Sequence, residues 1–107
     1  MTVITLDYDD VVLKRVYEDC MQLLMCRGEA DDTLTIKQSS PNHYHAVFVF
    51  KRIIPFPQAL EDARRTGCSK EYLDRVEKVG YFCIRTSRKS DGTPEPKLAL
   101  MVIKGEV

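Results

Sequence analysis

The eight residues His43-Tyr44-His45-Ala46-Val47-Phe48-Val49-Phe50 alternate with the period of a β-strand. Successive strand side chains point to opposite faces, so Tyr44, Ala46, Phe48 and Phe50 share one side and His43, His45, Val47 and Val49 the other. Three aromatic rings make the first side the core side. The second side carries two imidazoles, from the only histidines in the chain. A strand divided in this way needs a sheet that is covered on one face and open on the other.

The flanking sequence supplies such a sheet. Thr33-Leu34-Thr35-Ile36-Lys37 alternates too, and the turn-forming stretch Gln38 to Asn42 predicts that it pairs with the histidine strand as a hairpin. Upstream, Thr2 to Asp9 puts Ile4, Leu6 and Tyr8 on one face and Val3, Thr5, Asp7 and Asp9 on the other. Asp10 is an expected N-cap for a helix carrying Leu13, Val16, Cys20, Leu23 and Leu24, which Gly28 stops after Arg27. Beyond Lys51-Arg52, Pro55 and Pro57 forbid extension of the hairpin. A helix is predicted from about Gln58 to Gly67, and a second, capped by Ser69, carries Tyr72, Leu73 and Val76 to Gly80. Tyr81 to Thr86 reads as a strand, Asp91-Gly92 as a tight connection and Leu98 to Ile103 as a last strand. Strand, helix, strand, strand, helices, strand, strand is an α+β order. It predicts one domain over residues 1–107, a ferredoxin-like or RRM-like (RNA-recognition-motif-like) split β-α-β sheet with helices on one face.

The chain has 107 residues, enough to bury a core without disulfides or a structural metal. Residues 1–50 hold 4 Lys/Arg against 8 Asp/Glu, and residues 51–107 hold 12 against 8, so a neutral chain is divided into an acidic and a basic half. That division suits a metal-dependent site that handles phosphates, or a solvated surface with chance clustering. No signal-type or membrane-spanning apolar run is present, which predicts a cytoplasmic protein. Cys20, Cys26, Cys68 and Cys83 lack paired C-x-x-C spacing and read as reduced, partly buried thiols.

In this fold Asp7, Asp9, His43 and His45 all project from the open face, on strands expected to be neighbours. The expectation rests on phase, since a slip of one residue would move either pair to the other face. Two carboxylates two residues apart on a strand repel each other unless a cation or water intervenes. Hard divalent ions such as magnesium or manganese prefer such oxygen ligands. In the plainer alternative Asp9 and Asp10 cap the helix while Asp7 faces solvent.

Ile4-Thr5-Leu6-Asp7-Tyr8-Asp9 resembles the hydrophobic-Asp-x-Asp motif of the archaeo-eukaryotic primase and primase-polymerase superfamily. Ser39-Ser40-Pro41-Asn42-His43-Tyr44-His45 is similar to that superfamily's second motif, a serine followed within a few residues by a nucleotide-binding histidine. Leu73-Asp74 resembles the third, and Ile84-Arg85 with Lys89 and Gly92 the basic stretch beyond it. The resemblance implies that Asp7, Asp9 and Asp74 ligate Mg or Mn and that His45 contacts the triphosphate of a nucleotide. Ser39 and Ser40 would belong to the nucleotide-binding segment, and Arg85 and Lys89 would neutralise phosphate charge. Positioning and charge stabilisation would then carry phosphoryl transfer. Compact proteins with such motifs occur in viruses and plasmids, which implies a role in replication of a mobile element.

A second resemblance concerns the same histidines. His43-Tyr44-His45 is similar to the His-hydrophobic-His motif of rolling-circle replication initiators and single-tyrosine transposases. There both imidazoles bind one metal, and a tyrosine attacks the scissile phosphate. The resemblance implies Tyr72 or Tyr81 as nucleophile. Arg75 follows Tyr72 at the spacing where the family has a lysine. A third reading needs no catalysis: an open sheet face can bind single-stranded DNA or RNA, with Tyr81 the main outward aromatic.

Overall fold

The structure, a computed structural model, describes residues 1–82 and 97–104. Its elements are β1 (Thr2–Asp9), α1 (Leu13–Arg27), β2 (Thr33–Ser40), β3 (His43–Phe50), α2 (Phe56–Arg64), α3 (Lys70–Val79) and β4 (Lys97–Ile103). The strand expected over Tyr81–Thr86 falls almost wholly outside the described residues, as do Arg85, Lys89, Asp91-Gly92 and Cys83.

The strands form one antiparallel sheet in the order β1-β3-β2-β4. Because β3 lies antiparallel between β1 and β2, the first half is the split β-α-β unit, and the chain is α+β as its element order predicts. Alternation decides the faces: Ile4, Leu6, Tyr8, Leu34, Ile36, Ala46, Phe48 and Phe50 are fully buried. Phe48 and Phe50 stack with ring centroids 5.8 Å apart. Onto this face α1 and α2 bring Val16, Cys20, Leu24, Ala59, Leu60 and Ala63.

The last strand lies at the β2 edge, and local bonds explain why it stays there. Lys104 exchanges backbone bonds with Asp31 and Asp32, and its Nζ donates to the carbonyls of Met25 (3.2 Å) and Gly28 (2.5 Å) at the end of α1. A cation at a helix C-terminus satisfies orphan carbonyls and complements the dipole. Gly28 ends α1 through space rather than a left-handed φ: its backbone is extended, and an added Cβ would lie 2.5 Å from the Leu24 carbonyl oxygen.

At the other edge, α3 docks on β1. Ser69 caps α3 as expected, accepting from the Tyr72 amide at 3.4 Å, and Gly80 closes it at φ 85°. The Ser69 amide in turn donates to the Asp7 carbonyl at 2.7 Å, and the Asp7 amide donates to Cys68 Sγ at 3.2 Å. The free edge of β1 is thereby sealed by the residues that start α3.

Asp10 does not cap α1, as the sequence pattern suggests it should. It takes a left-handed φ of 58°, and the helix starts after Val12 without a side-chain cap. The Val11 amide donates to the Asn42 carbonyl at 3.0 Å, so the chain leaving β1 is tied to the hairpin tip before it can turn into a helix. At that tip Pro41 precedes Asn42, which has φ 62°. Proline followed by a residue of positive φ is the type II pattern, whose twist fits a hairpin poorly. The ladder absorbs the mismatch as a bulge between Gln38 and Ser40.

Candidate functional site

The β1/β3 register pairs Asp7 with His45 and Asp9 with His43. The Asp7 amide and carbonyl both point outward, to Cys68 and Ser69, so they are not bonded to β3. Asp7/His45 is therefore a non-hydrogen-bonded pair, the closely spaced kind, and by alternation so is Asp9/His43. Side chains opposite each other at such positions touch. Asp9 Oδ1 lies 3.0 Å from His43 Nδ1, and Asp7 Oδ1 lies 3.4 Å from His45 Nε2. The phase expectation holds: both carboxylates and both imidazoles share the face opposite the core.

The inner and outer rungs of this ladder differ. Asp7 and His45 are largely covered, with side-chain exposures of 23% and 17%, while Asp9 and His43 are open at 55% and 42%. Burial, and then the neighbouring Asp9 carboxylate, raise the Asp7 carboxyl above the ordinary carboxylate range. His45, the Arg75 guanidinium and His43 pull the other way. Among the described residues, Oδ2 of each aspartate is left without a hydrogen-bond partner.

Ser40, not Ser39, stands opposite His43, because the bulge advances the ladder by one residue. Ser39 Oγ donates to the His43 carbonyl at 3.4 Å. Asp74 does not join Asp7 and Asp9. It sits on the exposed side of α3, 3.1 Å from both Arg64 and Lys70, and the hydrogen bond from Lys70 leads in holding its carboxyl below the usual range. Helical geometry explains the separation: Tyr72, two positions earlier, faces β1, and a step of two residues turns a side chain by about 200°, to the opposite side of the helix. Tyr81 is exposed and lies outside any strand.

Tyr72 is brought to the site's side of the sheet. Its ring is buried and its hydroxyl is hydrogen-bonded to that of Thr5, the residue two before Asp7 on the same face. Cys68, under Asp7, has its thiol pushed up to about 12 by burial, so it serves as a neutral partner rather than a thiolate ligand. Two basic residues also reach this region. Lys37 pairs in register with His45, from the β2 side, and Arg75 acts on Asp7 from α3. The signals for both were in the sequence: Lys37 continues the outward phase of Thr33 and Thr35, and Arg75 follows Tyr72 by three on a helix.

The donor set fits one divalent ion better than two. Asp7 and Asp9 present adjacent carboxylates, each with one oxygen that no described residue bonds, and magnesium is held by one or two carboxylates with water and substrate phosphates completing its shell. A third protein carboxylate is not delivered by Asp74. Among the described residues, no group of three or more His, Cys, Asp or Glu side chains converges as a metal-binding set. No described helix is long and apolar enough to cross a membrane. No protein-family model matches the chain, and neither a curated protein nor a solved structure matches it.

Proposed function

We propose that the chain is a small nucleic-acid-processing protein with a primase-like palm, acting in the cytoplasm. In this reading Asp7 and Asp9 hold one magnesium or manganese ion against a phosphate of a nucleotide or nucleic acid. The ion would supply Lewis-acid stabilisation of phosphate charge. His45 is the residue placed to contact that phosphate, because it is packed beside Asp7, while His43 at the open rim orients Asp9. The observation that carries the reading is the pair of cross-strand Asp–His contacts on the face opposite the core. A strand face needing only solubility has no use for a half-buried carboxylate whose burial opposes its charge.

Manganese titration followed by electron paramagnetic resonance tests it. Wild-type protein binds the ion, Asp7→Asn and Asp9→Asn each weaken binding at least tenfold, and His45→Ala impairs nucleotide binding more than His43→Ala. Equal binding by wild type and Asp7→Asn would remove the proposal.

One observation favours a second reading, the single-strand nickase: the Tyr72 hydroxyl lies on the same side of the sheet as both histidines. Attack by that hydroxyl requires its release from Thr5. A covalent protein-DNA adduct that disappears in Tyr72→Phe, with equal loss from His43→Ala and His45→Ala, would select this reading over the first.

A further inference from the structure

A row of side chains crosses the sheet at the level of His45. Asp7 on β1, His45 on β3 and Lys37 on β2 are partners in consecutive registers, so all three leave the sheet on one side. Arg75 extends the row beyond β1. It follows Tyr72 by three residues on α3, and Tyr72 is anchored to Thr5 on that same side. The row therefore reads cation, carboxylate, imidazole, cation.

Among the described residues neither Lys37 nor Arg75 has a carboxylate within ion-pair distance, as is also true of Arg15, Lys78, Lys97 and Lys104, but of these Lys37 is the one in register with His45 and Arg75 the one whose charge acts on Asp7. They are also well separated. His45 bonds toward β2 rather than β1, so Lys37/His45 is the wider, hydrogen-bonded kind of pair, and the α-carbons of Asp7 and Lys37 lie about 10 Å apart. Arg75 is carried by α3, whose start is bonded to the outer edge of β1 through Ser69 and Asp7, so Asp7 lies between the element that bears Arg75 and the strand that bears Lys37. A single phosphate cannot sit on that line without meeting the carboxylate.

We infer that Lys37 and Arg75 hold two separate phosphates of one single-stranded nucleic acid that runs across the β-strands over Asp7 and His45. This rests on the phosphate-handling function proposed above and assigns its substrate as a strand rather than a free nucleotide. The strand's direction follows from the row: a backbone crossing the sheet meets one cation at each end and passes the metal-binding carboxylates between them. Each phosphate contact releases counterions, so each adds a fixed increment to the salt dependence of binding.

The test measures fluorescence anisotropy of a labelled oligothymidylate, with EDTA present, across a range of salt concentrations. Lys37→Gln and Arg75→Gln each reduce the slope of log affinity against log salt by about 0.7, and the double variant by about 1.4. Lys14→Gln, on α1 and paired with Glu18, leaves it unchanged. The inference falls if wild type does not bind the oligonucleotide, if either single variant keeps the wild-type slope, or if Lys14→Gln lowers it equally. It also falls if a nucleoside triphosphate displaces the strand through the same two residues. Manganese titration without DNA separates this outcome from failure of the proposed function: Lys37→Gln and Arg75→Gln bind the ion at least as tightly as wild type, since each only removes a nearby positive charge, and Asp7→Asn and Asp9→Asn bind it more weakly.

Discussion

Two pairs of aspartates in this chain have opposite surroundings. Asp32 and Asp62 are nearly inaccessible, and every carboxylate oxygen is engaged. Asp32 accepts the Glu29 amide at 2.6 Å through Oδ2 and the Lys51 amide at 2.9 Å through Oδ1. Asp62 takes Arg27 in a two-pronged contact at 2.7 and 3.2 Å and Gln58 at 3.0 Å. Asp7 and Asp9 each have one oxygen against a histidine and, among the described residues, no partner for the other. The difference separates carboxylates whose two oxygens are both bonded within the fold from carboxylates that the described residues bond through one oxygen, the pair proposed above to accept a ligand.

Substitutions that neutralise each kind of carboxylate sharpen that contrast. Asp32→Ala leaves two backbone amides without their acceptor at the junction of the α1–β2 loop and the end of β3, a loss of about 2–4 kcal/mol in chemical denaturation. A loss below about 1 kcal/mol would mean that Asp32 is not the fixed clamp its bonds indicate.

Asp7→Asn should move stability in the opposite direction. The Asp7 carboxyl is raised in the folded protein, so the native state binds this proton more tightly than the unfolded chain. Its stabilising contribution is full below the unfolded value of about 3.9 and is lost as pH rises through the folded value. The asparagine variant escapes that loss. Its stability relative to wild type therefore increases from acid to neutral pH, and denaturation curves at the two ends of that range measure the difference. A variant that loses stability relative to wild type over the same range would show that the His45 and Arg75 charges outweigh burial.

Asp74→Asn is expected to do least. Its carboxylate is exposed and screened by water, and its ion pairs with Arg64 and Lys70 are of the surface kind that contribute little. Its denaturation midpoint should coincide with that of wild type, and its manganese affinity should be unchanged.

The sequence was most readable where one periodicity acted alone. The strict alternation of residues 43–50 and of Thr2 to Asp9 carried the core face, the site face and the meeting of Asp7 and Asp9 with the histidines. Ser69 and Gly80 announced both ends of α3 because capping and left-handed closure are local. What sequence order could not supply depended on long-range bonds. Asp10 has good capping chemistry, but the tie between Val11 and Asn42 keeps Val11 outside the helix that a cap at Asp10 would begin there. Leu73-Asp74 resembles a catalytic motif, yet the docking of Tyr72 on Thr5 turns Asp74 away from the aspartate pair. Lys37 was visible as strand phase and Arg75 as the basic residue three past Tyr72, but nothing local joins them, because a lone lysine on a strand and a lone arginine on a helix usually mark solvent. Only the register of three strands and the docking of α3 set them in one row.

The proposed ligand-accepting centre is formed by Asp7 and Asp9, and not by Asp74. The most direct test is manganese titration of wild type, Asp7→Asn, Asp9→Asn and Asp74→Asn side by side, read by electron paramagnetic resonance. Binding at least tenfold weaker is expected in Asp7→Asn and Asp9→Asn, and wild-type binding in Asp74→Asn. Equal weakening in all three, or none in Asp7→Asn, would contradict it.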